Sequence, residues 1–183
     1  MPCARQSPTP PSSSASAADG RAPSYDRAVP AELDANDHLA IDRLQRAYAD
    51  GVTMRDWQQV QGLFLPDATI SLDLVTRPPM QFSGPVELTD FVSGALEAFA
   101  FFQFVILNSH IEAAASDPLA AKARMFMCEL RLPHGTRKRD ETYGLYRDTY
   151  RKTDQAGYGG WRFASRWYRT MARFPSGDAF PLG

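Results

Sequence analysis

The sequence predicts an α+β fold in which helices pack on one face of a curved antiparallel sheet. Three observations carry this. The apolar period is helical as far as Phe99 and becomes two beyond it. The later strands are long and their links short, which makes chain neighbours antiparallel. Helices come first and strands later, with no βαβ alternation and no internal repeat.

Residues 1–34 contain runs such as SPTPPSSSASA and one aromatic, Tyr25. Such a segment buries too little apolar surface to offset the entropy of ordering it, so it is predicted to be a disordered tail. Pro8 and Pro11 form a minimal P-x-x-P, a spacing that tails of this composition often generate. The folded domain is expected over 35–174, followed by a C-terminal tail over 175–183. Asn36 or Asp37 caps a first helix whose Ile41, Leu44, Ala47, Tyr48 and Val52 form one apolar stripe. Asp56 with Gln59 resembles a capping box for a shorter helix bearing Trp57, Val60 and Phe64. Pro66-Asp67 ends it, and residues 68–72 alternate like a strand. Gly84 and Pro85 open a third helix, with Glu87 in its first turn. Its face is Leu88, Phe91, Val92, Ala95, Leu96 and Phe99. Four long strands follow over 101–114, 120–132, 141–152 and 161–173. Ser116-Asp117-Pro118, Pro133-His134-Gly135 and Gly157-Tyr158-Gly159-Gly160 mark the turns between them.

Composition narrows the function classes. The chain has 183 residues, of which 44% are hydrophobic and 11% aromatic, enough for one core beside a tail. A net charge of −1 argues against a generic nucleic-acid binder. That total hides a split: residues 1–121 hold 7 basic and 15 acidic side chains, and residues 122–173 hold 13 and 5. Cys3 and Cys128 form neither a disulfide framework nor a zinc spacing, which favours a reducing, cytoplasmic setting. The longest apolar stretch, 98–107, is interrupted by Gln103 and is too short to span a membrane. The N-terminus lacks the apolar core of a secretory signal. Neither membrane nor nucleic acid is expected as a partner.

Several chemistries have no motif to support them. Gly157 to Gly160 sits in a hairpin and opens no helix, so there is no phosphate loop. His38, His110 and His134 lack metal-ligand spacing, and no Ser or Cys lies in a nucleophile signature. No metal or cofactor is therefore expected. Carboxylates and arginines remain. Tyr146, Asp148 and Tyr150 alternate onto one face of their strand, as Arg162, Arg166 and Tyr168 do on the next. An Asp148–Arg166 pair would either orient a substrate oxygen or pin two strands together. Glu129 shares parity with Ala123, Met125 and Met127, an apolar face. It is either a buried acid with a raised pKa or the partner of an arginine on a neighbouring strand. Asp50, one turn from Thr53, reads best as a solvated helix residue. Arg147, Arg151 and Arg169 have the parity opposite to Asp148 and Arg166, which places them on the outer sheet face.

Two strings resemble a known family. They are AYADGVTMRDWQQVQGLFLPDATISL on the helix side and YGLYRDTYRKT…GGWRFASRWYRTMARF on the strand side. Residues 36–173 resemble the SnoaL-like proteins of the nuclear transport factor 2 superfamily. This implies a cone: a strongly curved antiparallel sheet wrapped around the N-terminal helices, with a single pocket at the open end. Family members include polyketide cyclases, scytalone dehydratase, bile-acid dehydratases and steroid isomerases, and many relatives form homodimers through the sheet. The family's dehydratases use a Tyr and an Asp on the first helix and a His on the strand after the third. Tyr48 matches the tyrosine, but Thr53 stands at the aspartate position and Phe104 at the histidine position.

The expected ligand is a small hydrophobic, ring-containing molecule. Tyr48, Glu129, Asp148 and Arg166 are the candidate catalytic residues: Glu129 or Asp148 moves the proton, while Tyr48 and Arg166 polarise an oxygen. Thr53, Phe91, Phe104, His110, Met125, Tyr146 and Tyr168 are the candidate substrate-binding residues. His110 shares strand parity with Phe104, which puts it in the pocket only if the strand is unbroken; in relatives a bulge often falls at the position of Asn108. A cofactor-independent cyclase, isomerase or dehydratase and a non-catalytic binding or dimerisation module both fit this pattern.

Overall fold

The computed structural model describes residues 33–180. Most of the predicted N-terminal tail, with Cys3 and the Pro8–Pro11 spacing, lies outside the described residues, as do residues 181–183. Helix α1 (Ala35–Met54) is capped by Asp34, whose carboxylate accepts the Asn36 N–H at 3.0 Å. It buries Ile41, Leu44, Tyr48 and Val52 of the predicted stripe, leaves Ala47 half-buried, and adds Ala49 and the fully buried Gln45. A buried amide needs partners. Gln45 donates to the Tyr150 hydroxyl at 2.8 Å and accepts from the Ser109 hydroxyl at 2.6 Å, so α1 is hydrogen-bonded to two strands.

Helix α2 (Trp57–Gly62) is capped by Asp56, which accepts the Gln59 N–H at 2.9 Å. It is shorter than expected, and Phe64 opens strand β1 (Phe64–Asp73) instead. A short β2 (Met80–Ser83), which the sequence pattern did not signal, pairs antiparallel with β1. Gly84 then starts α3 (Gly84–Leu96) at φ 80°; a β-carbon there would lie 2.6 Å from the Pro66 carbonyl oxygen. Phe99 leaves the α3 face and begins β3 (Phe99–Ala114), which runs on to β4 (Asp117–Pro133), β5 (Asp140–Lys152) and β6 (Trp161–Phe174). A two-residue β7 (Asp178–Ala179) pairs with β6, so part of the expected C-terminal tail is ordered against the sheet.

The sheet order is β2-β1-β6-β5-β4-β3. Every pair is antiparallel except β1–β6, which is parallel. The sheet is therefore mixed, not purely antiparallel. The reason lies in the connections: short links force reversal only between consecutive strands, and β1 and β6 are separated by most of the domain.

Paired residues run across the strands in rungs that face the helices. The deepest of four is Ala123–Asp148–Arg166–Ile70. Met125–Tyr146–Tyr168–Leu72 follows, then Met127–Gly144–Thr170, and finally Phe104–Glu129–Thr142–Arg173. Register shifts interrupt β3 between Ile106 and Asn108, and the β5–β6 pair at Tyr143/Gly144 and Thr149/Tyr150. Such bulges bend strands and reverse which side chains face inward.

Gly144 leaves room for an aromatic ring. A β-carbon at this position would lie 2.2 Å from Cε2 of Tyr168, whose ring packs 4.8 Å from that of Tyr146. Gly144→Ala should therefore destabilise the protein by about 1–3 kcal/mol in urea unfolding. The loss should shrink in a Tyr168→Ala background, where the ring is gone; an undiminished loss would contradict this account of the close approach.

Candidate functional site

A cavity of about 190 Å³ opens between α1, α3 and the concave sheet face. Its apolar side comes from Val52 on α1, Leu88, Phe91 and Val92 on α3, and Phe102 and Phe104 on β3. An apolar cavity of about 150 Å³ can hold benzene, so this one accommodates a compact ring. Its polar side is Glu129 and Arg131 on β4, Thr142 on β5, and Tyr168, Thr170 and Arg173 on β6. Arg77, on the β1–β2 connection, completes it.

Six of the expected residues line this cavity: Tyr48, Phe91, Phe104, Glu129, Tyr146 and Tyr168. The Tyr48 ring stands edge-on to Phe104 at 5.7 Å and to Tyr146 at 6.3 Å between ring centres. Burial raises the Tyr48 phenol pKa above its ordinary value, with the Arg166 charge opposing it, so the hydroxyl stays protonated and can donate. The Glu129 carboxyl is 22% exposed and lies 3.3 Å from a guanidinium nitrogen of Arg131. Burial raises its pKa above the ordinary glutamate value, and the charges of Arg131 and Arg173 offset that only in part. Arg131 is anchored on its other side by Asp140.

Five expected site residues lie outside the cavity. Asp148 and Arg166 pair through two hydrogen bonds, at 2.9 and 2.8 Å, with both side chains fully buried. Their rung lies below that of Tyr146 and Tyr168, and the aromatic rings stand between the ion pair and the cavity. The Arg166 guanidinium sits 3.9 Å from the Tyr48 ring centre and 4.3 Å from those of Tyr146 and Phe163. It supports the cavity floor without reaching a ligand. Met125 is fully buried in the core beneath the same rings. Thr53 turns its hydroxyl to the sheet, where it accepts the Phe104 N–H at 3.0 Å and ties α1 to β3. His110 is on the outer face, 3.4 Å from Glu112, because the bulge between Ile106 and Asn108 shifts the parity it shared with Phe104. Asp50 is exposed, as its solvated reading required.

The sequence reading missed Arg77, Arg131, Thr142, Thr170 and Arg173. Arg131 carried a signal, since it shares parity with Glu129 and follows it by one pleat. Arg173 did not: simple alternation puts it on the outer face with Arg169, and the bulge at Tyr143/Gly144 turns it inward. Arg147 and Arg151 are exposed as expected, with Arg147 stacked 5.2 Å from the Trp167 ring.

The SnoaL-like domain model matches residues 34–167. The chain belongs to this family. A scytalone dehydratase-like protein from Novosphingobium aromaticivorans DSM 12444 is similar in structure, with a TM-score of 0.64 and 21% identity, covering 80% of this chain and 89% of that one. LinA has a TM-score of 0.64 at 18% identity, covering 80% and 94%. The hexachlorocyclohexane dehydrochlorinase LinA-type3 from Novosphingobium barchaimii LL02 has a TM-score of 0.63 at 18%, with the same coverage. No curated protein matches the sequence. At these identities the structural likeness establishes the fold, which is the cone of the nuclear transport factor 2 superfamily. Among the described residues no helix is long and apolar enough to cross a membrane, and no cluster of three potential metal ligands occurs.

Removing one member of a buried ion pair strands the other charge. Asp148→Asn should therefore cost about 3–5 kcal/mol in chemical denaturation, and a loss below about 1 kcal/mol, the range of exposed pairs, would count against the pair's structural role. Glu129 behaves differently. It holds its proton more tightly folded than unfolded, so its contribution to stability is full below the ordinary value of 4.5 and is lost as pH rises through the raised folded value. Glu129→Gln stays neutral throughout. The stability of this variant relative to the unaltered protein should thus increase as pH rises above the ordinary glutamate value of 4.5; a flat or falling difference would mean that Glu129 is not raised.

Proposed function

We propose that the cavity is the active site of a lyase or isomerase that moves a proton on a compact, ring-containing substrate, with Glu129 as the acid–base group. One observation supports this above the others: a carboxyl with a raised pKa faces a cavity lined largely by apolar side chains. Such a group exchanges protons closer to neutral pH than an exposed glutamate. Its position adds support. Glu129 is the cross-strand partner of Phe104, the residue at the family's histidine position. Adjacent strands lie about 4.8 Å apart, so the proton carrier is displaced by one strand and remains at the same level of the cone.

In this reading the Glu129 carboxylate takes a proton from a carbon next to a carbonyl. The electron pair of that C–H bond moves onto the carbonyl oxygen, where the Tyr48 hydroxyl or the Arg131 guanidinium donates a hydrogen bond to the developing enolate. Return of the proton to another carbon gives an isomer. Its delivery to a departing hydroxyl group releases water and leaves a double bond. The chain's own groups suffice for either course, and the dehydratase-like and dehydrochlorinase neighbours agree with the second. Cyclisation of a polyketide-like substrate would use the same enolate as a nucleophile.

A second reading is a binding module of the same fold. It is favoured by the loss of the family dyad, since Thr53 and Phe104 are engaged with each other through a structural hydrogen bond. Mass spectrometry of small molecules retained on purification, followed by turnover assays, separates the two. For an enzyme, Glu129→Gln should lower kcat by about 10²–10⁴-fold while the variant still binds the compound. Turnover unchanged in Glu129→Gln would remove this residue from the mechanism, and a retained compound that is never converted would favour the binding module.

A further inference from the structure

Two arginines reach the cavity without forming an ion pair among the described residues. Arg77 stacks with its guanidinium 5.3 Å from the Phe91 ring centre and forms no ion pair among the described residues. Arg173 donates to the Leu74 carbonyl at 2.9 Å and likewise has no ion pair among them. Arg131 is already held by Asp140 and Glu129. Taken with Asp140, the wall therefore carries excess positive charge whether Glu129 is ionised or protonated. On the outermost of the four rungs, Thr142 stands between Glu129 and Arg173. It is buried, it lines the cavity, and its hydroxyl oxygen has no hydrogen-bond partner. A buried hydroxyl left unpaired is destabilising, and a ligand oxygen would satisfy it.

We propose that the ligand of this cavity is an organic anion, a compact ring bearing a carboxylate. The ring packs against Phe91 and Phe104, and the carboxylate is held by Arg173, Arg77 and the Thr142 hydroxyl. A planar carboxylate matches the fork of a guanidinium and leaves an oxygen for a neighbouring donor. A phosphate would place a second negative charge in the same small cavity as Glu129. The proposal rests on the cavity being a small-molecule site, as read above, but not on the role given to Glu129.

Calorimetric titration of the full chain with benzoate and cinnamate, each against its neutral amide, tests it. The carboxylates should bind at least about tenfold more tightly than the amides, a difference of about 1.4 kcal/mol, and added salt should reduce the preference. Arg77→Met combined with Arg173→Met should abolish it, and Thr142→Val should weaken carboxylate binding. Arg173→Lys keeps the charge and should keep most of the preference, which separates lost charge from a misfolded variant. Amides that bind as tightly as carboxylates, a preference that survives the double replacement, or no saturable carboxylate binding below about 10 mM would each overturn the proposal. Glu129→Gln should retain the preference. Lost turnover with the preference intact thus concerns the acid–base reading, and a missing preference with turnover intact sinks only the anionic ligand.

Discussion

A guanidinium sealed from water fixes the centre of this protein. Desolvating Arg166 and Asp148 costs several kcal/mol per ion, a cost offset by the hydrogen bonds and rings around the charges, although Nη1 of Arg166 has no hydrogen-bond partner. Asp148 takes two hydrogen bonds from Arg166 and a third from the Tyr150 hydroxyl. Tyr150 in turn accepts from Gln45 of α1, and Gln45 accepts from Ser109 of β3. The faces of the guanidinium are covered by the rings of Tyr48, Tyr146 and Phe163, each such contact contributing about 0.5–2 kcal/mol. Helix α1 and strands β3, β5 and β6 are thereby tied to one point.

That constraint shapes the cavity above it. Two of the rings that screen the cation, Tyr48 and Tyr146, also line the void, so the floor is held from below by the ion pair. The Gly144 backbone then lets the Tyr168 ring lie over the sheet. Of the rung residues that line the cavity, the charged ones are on the outer rung, where Glu129, Thr142 and Arg173 stand side by side. The deep ion pair supports aromatic walls, and the charged groups of the outer rung line the cavity. The two arginine populations look alike in composition and differ only in which rung they occupy.

The fold was legible because its signals are periodic and local. The α1 stripe, the Asp56 cap, the opening of α3 at Gly84-Pro85 and the four long strands all announce themselves within a short window. The parallel β1–β6 pair and the short β2 do not, since a long-range pairing leaves no mark on either strand. For the site, Tyr48, Phe91, Phe104, Glu129, Tyr146 and Tyr168 followed from alternation and family spacing. His110 was misplaced and Arg173 was missed for one physical reason: a bulge reverses alternation, and an extra residue in a strand looks like any other residue. Asp148 and Arg166 had the right parity and the right partner. What parity cannot convey is depth along the cone, and one rung separates a residue that lines the cavity from one that supports those that do.

Depth also gives the charge split a cause. Most of the basic side chains of residues 122–173 lie on β4, β5 and β6, and three groups of arginines among them do different work. Arg147 and Arg151 meet solvent or a surface partner on the outer face. Arg166 is spent internally on Asp148. Arg131 and Arg173, joined by Arg77 from the acidic half, reach the cavity. Arg131 and Arg173 act directly on the Glu129 carboxyl, since both favour its ionised form while burial opposes it. Burial is the larger of those two influences, so the carboxyl is held above the ordinary glutamate range, and a negative charge placed beside it would push it further towards the protonated acid.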